Sequence, residues 1–240
     1  PLRYGGIRLD QRQQVTGLLR TWDDRFREAL REHFPRDQAA VLADRYLAVL
    51  SAQYKTATEV PAAVRDVRCL EALVATRLPQ VDLSNDAGDP RFTALRLYLL
   101  EEELVLSDFL PVLENLGLKV FSADPLDLVL PQAGRVRMHT FLVHDRAGQR
   151  LAVEAVAPLL APALVLLHAG RIDNDPLNAL ILSADLSWRQ VDLLRTYVNH
   201  GVQIGTAASR AALLQALVHA PDTARLLWQY FAEKFDPLKM

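Results

Sequence analysis

Apolar side chains recur at helical intervals through Val15, Leu18, Leu19, Trp22, Phe26 and Leu30, with Asp23, Asp24, Arg25, Arg27 and Glu28 on the other side. This spacing predicts one amphipathic helix over 9–34, ended by Pro35. A second helix, capped by Asp37, is expected through Val41, Leu42, Tyr46, Leu47 and Leu50, and a third, with Pro61 in its first turn, runs to about Thr76. Residues 1–78 thus read as a helical segment. Pro79 to Pro90 includes Ser84-Asn85-Asp86-Ala87-Gly88-Asp89-Pro90, a polar, turn-rich run that marks a boundary. The period then changes to two: Phe92, Ala94, Arg96 and Tyr98 alternate with Thr93, Leu95, Leu97 and Leu99, as in a strand. Ser107 is placed to cap a helix from Asp108 to Leu116, and Asn115-Leu116-Gly117 carries that helix directly into the next extended stretch. Lys119 to Ala123, Leu126 to Leu130 and Arg135 to Asp145 read as extended, with hairpin chemistry in Pro131-Gln132-Ala133-Gly134. A helix from Val153 to Ala169 stops at Gly170.

Strand, helix, strand, strand, helix over 91–170 is most of a ferredoxin-like βαββαβ unit, with its last strand hard to find. From Pro176 onward the pattern is helical: Leu177 to Ser183, Trp188 to Asn199, Ala207 to Val218 and Thr223 to Phe235. The stripe Leu213, Leu214, Leu217, Val218 should bury against neighbouring helices at roughly 1.5–3 kcal/mol per side chain. The expected class is α+β: a ferredoxin-like βαββα module between two helical bundle segments, the second covering 171–240.

Half of the 240 residues are apolar, enough for a sizeable core. The net charge of -2 comes from interspersed acids and bases, so there is no basic face for nucleic acid and no polybasic run for an anionic membrane. The apolar run Leu151 to Leu167 is interrupted by Glu154, Pro158 and Pro162. It falls short of the ~20 residues a spanning helix needs and reads instead as a buried helix kinked at its prolines. Cys69 is the single cysteine, which fits a small buried hydrophobe in a reducing cytoplasm. The opening Pro1-Leu2-Arg3-Tyr4 has neither an initiator Met nor a signal-like segment, and the chain reads as a piece excised from something longer.

Chemistry is sparse. No glycine-rich dinucleotide turn follows a strand, and neither a phosphate loop nor a GxSxG elbow is present, so no cofactor is expected on this segment. His33, His139, His144, His168, His200 and His219 include no pair at the i, i+4 helical spacing of a zinc site, and His139 and His144 fall on opposite strand faces. Glu101-Glu102-Glu103 reads as a solvated turn, since crowded carboxylates without spaced glycine lack a calcium-loop geometry. Trp22, Trp188 and Trp228 sit on helical faces as core residues. Asp173-Asn174-Asp175-Pro176 is the most functional-looking polar cluster: a turn and N-cap for the following helix, or a contact to another part of a larger enzyme. No nucleophile and base can be paired, so the segment is not expected to be catalytic.

Four blocks, taken in order, resemble the large bacterial NAD-specific glutamate dehydrogenases. Arg20-Thr21-Trp22-Asp23-Asp24 with Arg65-Asp66-Val67-Arg68-Cys69-Leu70-Glu71 comes first, followed by Leu106-Ser107-Asp108-Phe109-Leu110-Pro111-Val112-Leu113-Glu114-Asn115-Leu116-Gly117-Leu118-Lys119-Val120. The third runs from Asp173-Asn174-Asp175-Pro176-Leu177 through Leu194-Arg195-Thr196-Tyr197, and the last from His219-Ala220-Pro221-Asp222 to Phe235-Asp236-Pro237. The resemblance implies a region upstream of the catalytic domain that combines helical motifs with an ACT-like sensor fold. It also implies that the substrate lysine and nucleotide-binding glycines lie elsewhere. NAD and the oxidative deamination of L-glutamate to 2-oxoglutarate would then belong to the parent enzyme. The chain would regulate that enzyme or assemble it as a homo-oligomer, through other domains and subunits. As an alternative it would be an amino-acid-sensing ACT-type module. Effector or interdomain contacts would fall on Ser107, Asp108, Asp173, Asn174 and Asp175. One departure stands out: amino-acid-binding ACT domains place a glycine after an aspartate in the first strand-to-helix loop, whereas here that loop reads Glu103-Leu104-Val105-Leu106-Ser107-Asp108.

Overall fold

Thr21 sets where the first helix begins. Its hydroxyl accepts from the backbone N–H of Asp24 while the Asp24 carboxylate accepts from the backbone N–H of Thr21, a reciprocal capping box. The computed structural model describes residues 20–85, 88–205 and 209–235, and in it helix α1 spans Trp22–His33. The helix expected over 9–34 thus starts later, at the cap, and residues 9–19 of that expectation lie outside the described residues. Helix α2 is Arg36–Val49, and Asp37 sits inside its first turn, complementing the helix dipole, because Pro35 occupies the cap position. A short helix α3, Ala52–Ala57, which the periodicity did not reveal, is capped by the Ser51 hydroxyl. Helix α4, Val60–Thr76, carries Pro61 in its first turn as expected.

The polar boundary expected from Pro79 begins instead with a strand, β1 (Gln80–Ser84), which pairs antiparallel with β2 (Thr93–Leu100). Helix α5 (Leu106–Asn115), strands β3 (Leu118–Leu130) and β4 (Gly134–Asp145) and helix α6 (Val153–His168) follow. The sheet order is β1-β2-β4-β3, antiparallel throughout. The strand sought after α6 is therefore supplied from in front of β2: β1 takes the sheet position beside β2 that a final strand would fill in a βαββαβ unit. The two extended pieces expected before the hairpin are one strand, with a pairing irregularity between Val120 and Ser122. Val105, not Ser107, occupies the cap of α5 and makes no side-chain cap bond, so Ser107 and Asp108 lie within the first turn.

Both faces of the sheet are covered, which is why β2 is apolar at almost every position. Leu95, Leu97, Leu99, Phe141 and Val143 join α5, α6 and the C-terminal helices in one core. Tyr98, Val136, Met138, Leu128 and Leu130 join Phe26, Leu30, Tyr46, Leu70 and Leu73 of α1 to α4 in the other. Helix α6 continues through Pro158 and Pro162 and buries Leu160, Ala163, Leu164 and Leu167. Among the described residues no helix is long and apolar enough to cross a membrane.

Gly117 makes the turn from α5 into β3 with φ of 85°, a left-handed conformation that penalises any Cβ. A Cβ there would meet Ala179 at an ordinary 3.6 Å, so the penalty is in the backbone. Gly117→Ala is expected to cost about 1–2 kcal/mol in urea denaturation.

Beyond α6, a 3-10 turn (Pro176–Ala179) leads to α7 (Leu180–Ser183), α8 (Trp188–Gln203), α9 (Arg210–His219) and α10 (Pro221–Phe235). Helix α8 passes the expected stop at Asn199 and runs through Gly201; the expected start of α9 at Ala207 lies outside the described residues. Of the stripe expected to bury, Leu214 is buried, whereas Leu213, Leu217 and Val218 are half-buried against the core, because α9 lies at its margin. Trp22, Trp188 and Trp228 are half-buried and pack on the two cores, as their helical positions suggested.

Candidate functional site

The five polar residues singled out in the sequence fall into two separate groups. Ser107 and Asp108 are exposed on the first turn of α5, where Asp108 lines a shallow cleft with Glu103, Val105, Phe109 and His168. Asp173 and Asn174 are exposed beyond α6, and the side-chain amide of Asn115, the last residue of α5, donates to the Asn174 side-chain oxygen at 3.0 Å. Ser107 and Asn115 are about 12 Å apart along the helix axis, so the structure holds the two groups at opposite ends of α5.

Asp175 behaves differently, because it is buried. It accepts the backbone N–H of Leu177 as the cap of the 3-10 turn and is gripped by Arg195 through Nε–Oδ2 at 2.9 Å and Nη2–Oδ1 at 3.1 Å. Arg195, 3% exposed, also donates to Asn178 at 2.9 Å and to Asp192 at 2.7 Å, and Arg210 of α9 reaches Asp175 at 3.2 Å. Arg195 thereby ties the turn to α8, and Arg210 adds α9.

A second buried polar centre lies under the other face of the sheet. Asp66 of α4 accepts the hydroxyl of Tyr98 at 2.7 Å and that of Tyr54, and faces the Arg96 guanidinium at 3.3 Å. Burial, then the Asp66 charge, push both tyrosine hydroxyls well above their ordinary range, so they remain protonated donors. Neither Asp66 nor Arg195 was singled out in the sequence, although a signal exists. Each is a charge on an otherwise buried helical stripe: Ala63, Val67 and Leu70 around Asp66, and Val191, Leu194 and Val198 around Arg195.

The acidic turn is paired. Glu101 accepts the backbone N–H of Arg135 at 2.6 Å, Glu103 meets Arg137 at 2.8 Å, and Glu102 lies 3.0 Å from His168. Among the described residues no group of three or more His, Cys, Asp or Glu could hold a metal ion. Cys69 is half-buried, and burial, then the nearby Asp82 and Asp66, hold its thiol up at about 12, so it is a protonated thiol at neutral pH.

His139 of β4 is buried against Phe141, with neither ring nitrogen hydrogen-bonded among the described residues. Burial, then the Arg137 charge, lower its pKa, partly offset by Asp127. The unfolded chain takes up this proton near the ordinary value of about 6.5 while the folded chain takes it up at lower pH, so stability present above that value is lost as pH falls toward the folded value. Subtracting the His139→Leu stability profile from the parent's in urea melts between pH 7 and 5 is expected to leave such a loss on acidification; identical slopes would refute it.

Three family profiles match in chain order: "Glutamate dehydrogenase, helical motif 2" over residues 29–73, "Glutamate dehydrogenase, ACT3 domain" over 80–156, and "Glutamate dehydrogenase, helical motif 3" over 172–237. The chain is similar to an NAD-specific glutamate dehydrogenase of Halomonas elongata, 29% identical over 99% of this chain and 15% of the relative. Proteins of the same description from Mycobacterium tuberculosis (28% identical, 95% of this chain, 14% of the relative) and Pseudomonas aeruginosa (34% identical, 58% of this chain, 9% of the relative) also match. The chain thus spans about a seventh of the two relatives it matches along nearly all its length.

Proposed function

The chain belongs to the large NAD-specific glutamate dehydrogenase family, and from that premise we propose that it is a regulatory and assembly segment of such an enzyme, without catalytic groups of its own. The parent would be a cytoplasmic homo-oligomer carrying out the NAD-dependent oxidative deamination of L-glutamate to 2-oxoglutarate elsewhere in the polypeptide. The observation that carries this reading is how the buried polar groups are used. Asp66 is committed to Tyr54, Tyr98 and Arg96, and Arg195 to Asp175, Asn178 and Asp192. These are links between elements of structure, and among the described residues they leave no activated nucleophile facing a cleft.

The cleft at Asp108 bears on the amino-acid-sensing alternative. Its lining holds the carboxylates Glu103, already paired with Arg137, and Asp108, but, among the described residues, no Arg or Lys to receive an amino acid's carboxylate. Assembly is accordingly the reading we favour over effector capture at Ser107 and Asp108, and the exposed Asp173 and Asn174 are assigned to interdomain contact.

The isolated chain, given L-glutamate and NAD, is expected to form no NADH above a protein-free blank. The same chain titrated with a panel of amino acids should give no calorimetric heat. Turnover would overturn the non-catalytic reading, and saturable heat would restore the sensor.

A further inference from the structure

Helix α10 turns Ala224 and Trp228 toward the core and leaves Leu226 and Tyr230, each 63% exposed, on its outer side, with the exposed Leu227 beside them; Phe235, on the same helical face as Trp228, is exposed at the last residue of the helix. The patch continues onto α8, where the exposed Tyr197 meets Phe231 edge-on at 6.0 Å, and Phe231 in turn lies 5.0 Å from Phe235. Single exposed apolar residues are unremarkable, but Leu226, Leu227 and Tyr230, neighbours at helical spacing on the outer side of α10, form an apolar surface of the kind that marks a docking site, flanked by the aromatic edge Tyr197, Phe231 and Phe235. Lys234 projects over it, with its ammonium 5.8 Å from the Tyr230 ring and 5.4 Å from the Phe235 ring. Lys234 makes no ion pair with a carboxylate among the described residues.

We infer that this α8–α10 face is covered by another domain of the same dehydrogenase polypeptide, one that presents an apolar surface with a carboxylate for Lys234. Two observations select that occupant. The helical motif 3 match runs through residue 237, so the whole of α10 lies inside the matched region. The chain accounts for only 15% and 14% of its two full-span relatives, so most of each polypeptide lies outside it and is available to cover the face. An ammonium already held over two rings adds a polar fix to apolar docking, since a desolvated cation between aromatic faces gains further from an opposite charge.

The inference rests on the assembly reading and names its surface. It is tested by hydroxyl-radical footprinting of Leu226, Leu227 and Tyr230 in the isolated chain and in the whole enzyme, combined with carbodiimide coupling of Lys234. Oxidation of these three side chains is expected to fall about tenfold or more in the whole enzyme as the core of the contact excludes water. The Lys234 cross-link should map to an Asp or Glu outside these 240 residues. Equal oxidation in both samples, or a cross-link to a carboxylate on a second copy of α10, would overturn it. The NADH assay on the isolated chain is independent of this face, so an inert chain whose α10 stays oxidisable in the whole enzyme would sink this inference and leave the non-catalytic reading standing.

Discussion

Asp66→Ala is expected to destabilise the chain by about 3–5 kcal/mol, the usual cost of removing one partner of a buried ion pair. Asp66 is 2% exposed and accepts two tyrosine hydroxyls while facing Arg96, whose side chain is 11% exposed. Alanine would leave a guanidinium without its nearest counter-charge and two buried hydroxyls without acceptors. Those losses fall at the junction of α4 with β2, the seam that joins the N-terminal helices to the sheet. Urea denaturation followed by far-UV dichroism measures the effect. Tyr98→Phe, which keeps the carboxylate facing Arg96, should cost only about 1–1.5 kcal/mol, the worth of one hydrogen bond. An Asp66→Ala loss no larger than that of Tyr98→Phe would mean that the charge pair contributes nothing and that the hydroxyls alone hold the seam.

Arg195→Met should cost a similar amount, about 3–5 kcal/mol, and for the same electrostatic reason. Methionine fills much of the volume but leaves the buried Asp175 with the Leu177 N–H and, among the described residues, with Arg210 as its one remaining cation, whose side chain is 44% exposed. Arg210→Met, by contrast, removes a pair whose cation is half in water and should cost about 1 kcal/mol or less. The ordering of the two variants separates a buried latch from a surface ion pair. Because Asp175 both caps the 3-10 turn and binds Arg195, Asp175→Ala combined with Arg195→Met should cost less than the two single changes summed. Hydrogen exchange adds a local readout: amides of the turn and of α8 should open before those of β2 and β4 in Arg195→Met. Equal costs for the Arg195 and Arg210 variants would refute the latch.

Elements whose cause is local were legible in the sequence. The extended, largely apolar run of β2, the turn at Pro131 to Gly134, Gly117 at the end of α5 and Pro61 at the start of α4 all act through neighbours a few residues away. The same holds for the family: four blocks of residues resembled the NAD-specific glutamate dehydrogenases, and three profiles and three relatives agree with that resemblance. Errors of a residue or two, such as Ser107 or Asp37 as caps, arose where side chains suited to capping sit just inside the first turn.

What needed the tertiary structure depends on residues far apart in the chain. Strand β1 is five residues long, sits beside a turn-rich stretch and is recognisable only by its pairing with β2, so the unit's fourth strand was sought at the wrong end. Asp66 meets Tyr98 across 32 residues and Arg195 meets Asp175 across 20, and without those partners each is merely a charge in an apolar stripe. The pattern of apolar and polar positions determined the helices and most of the sheet, because periodicity and turn chemistry are properties of adjacent residues, and four blocks of specific residues carried the resemblance to the family. Tertiary structure alone decided the sheet order, the buried charges and the apolar face of α10, because burial and pairing become defined only when distant parts of the chain exclude water together.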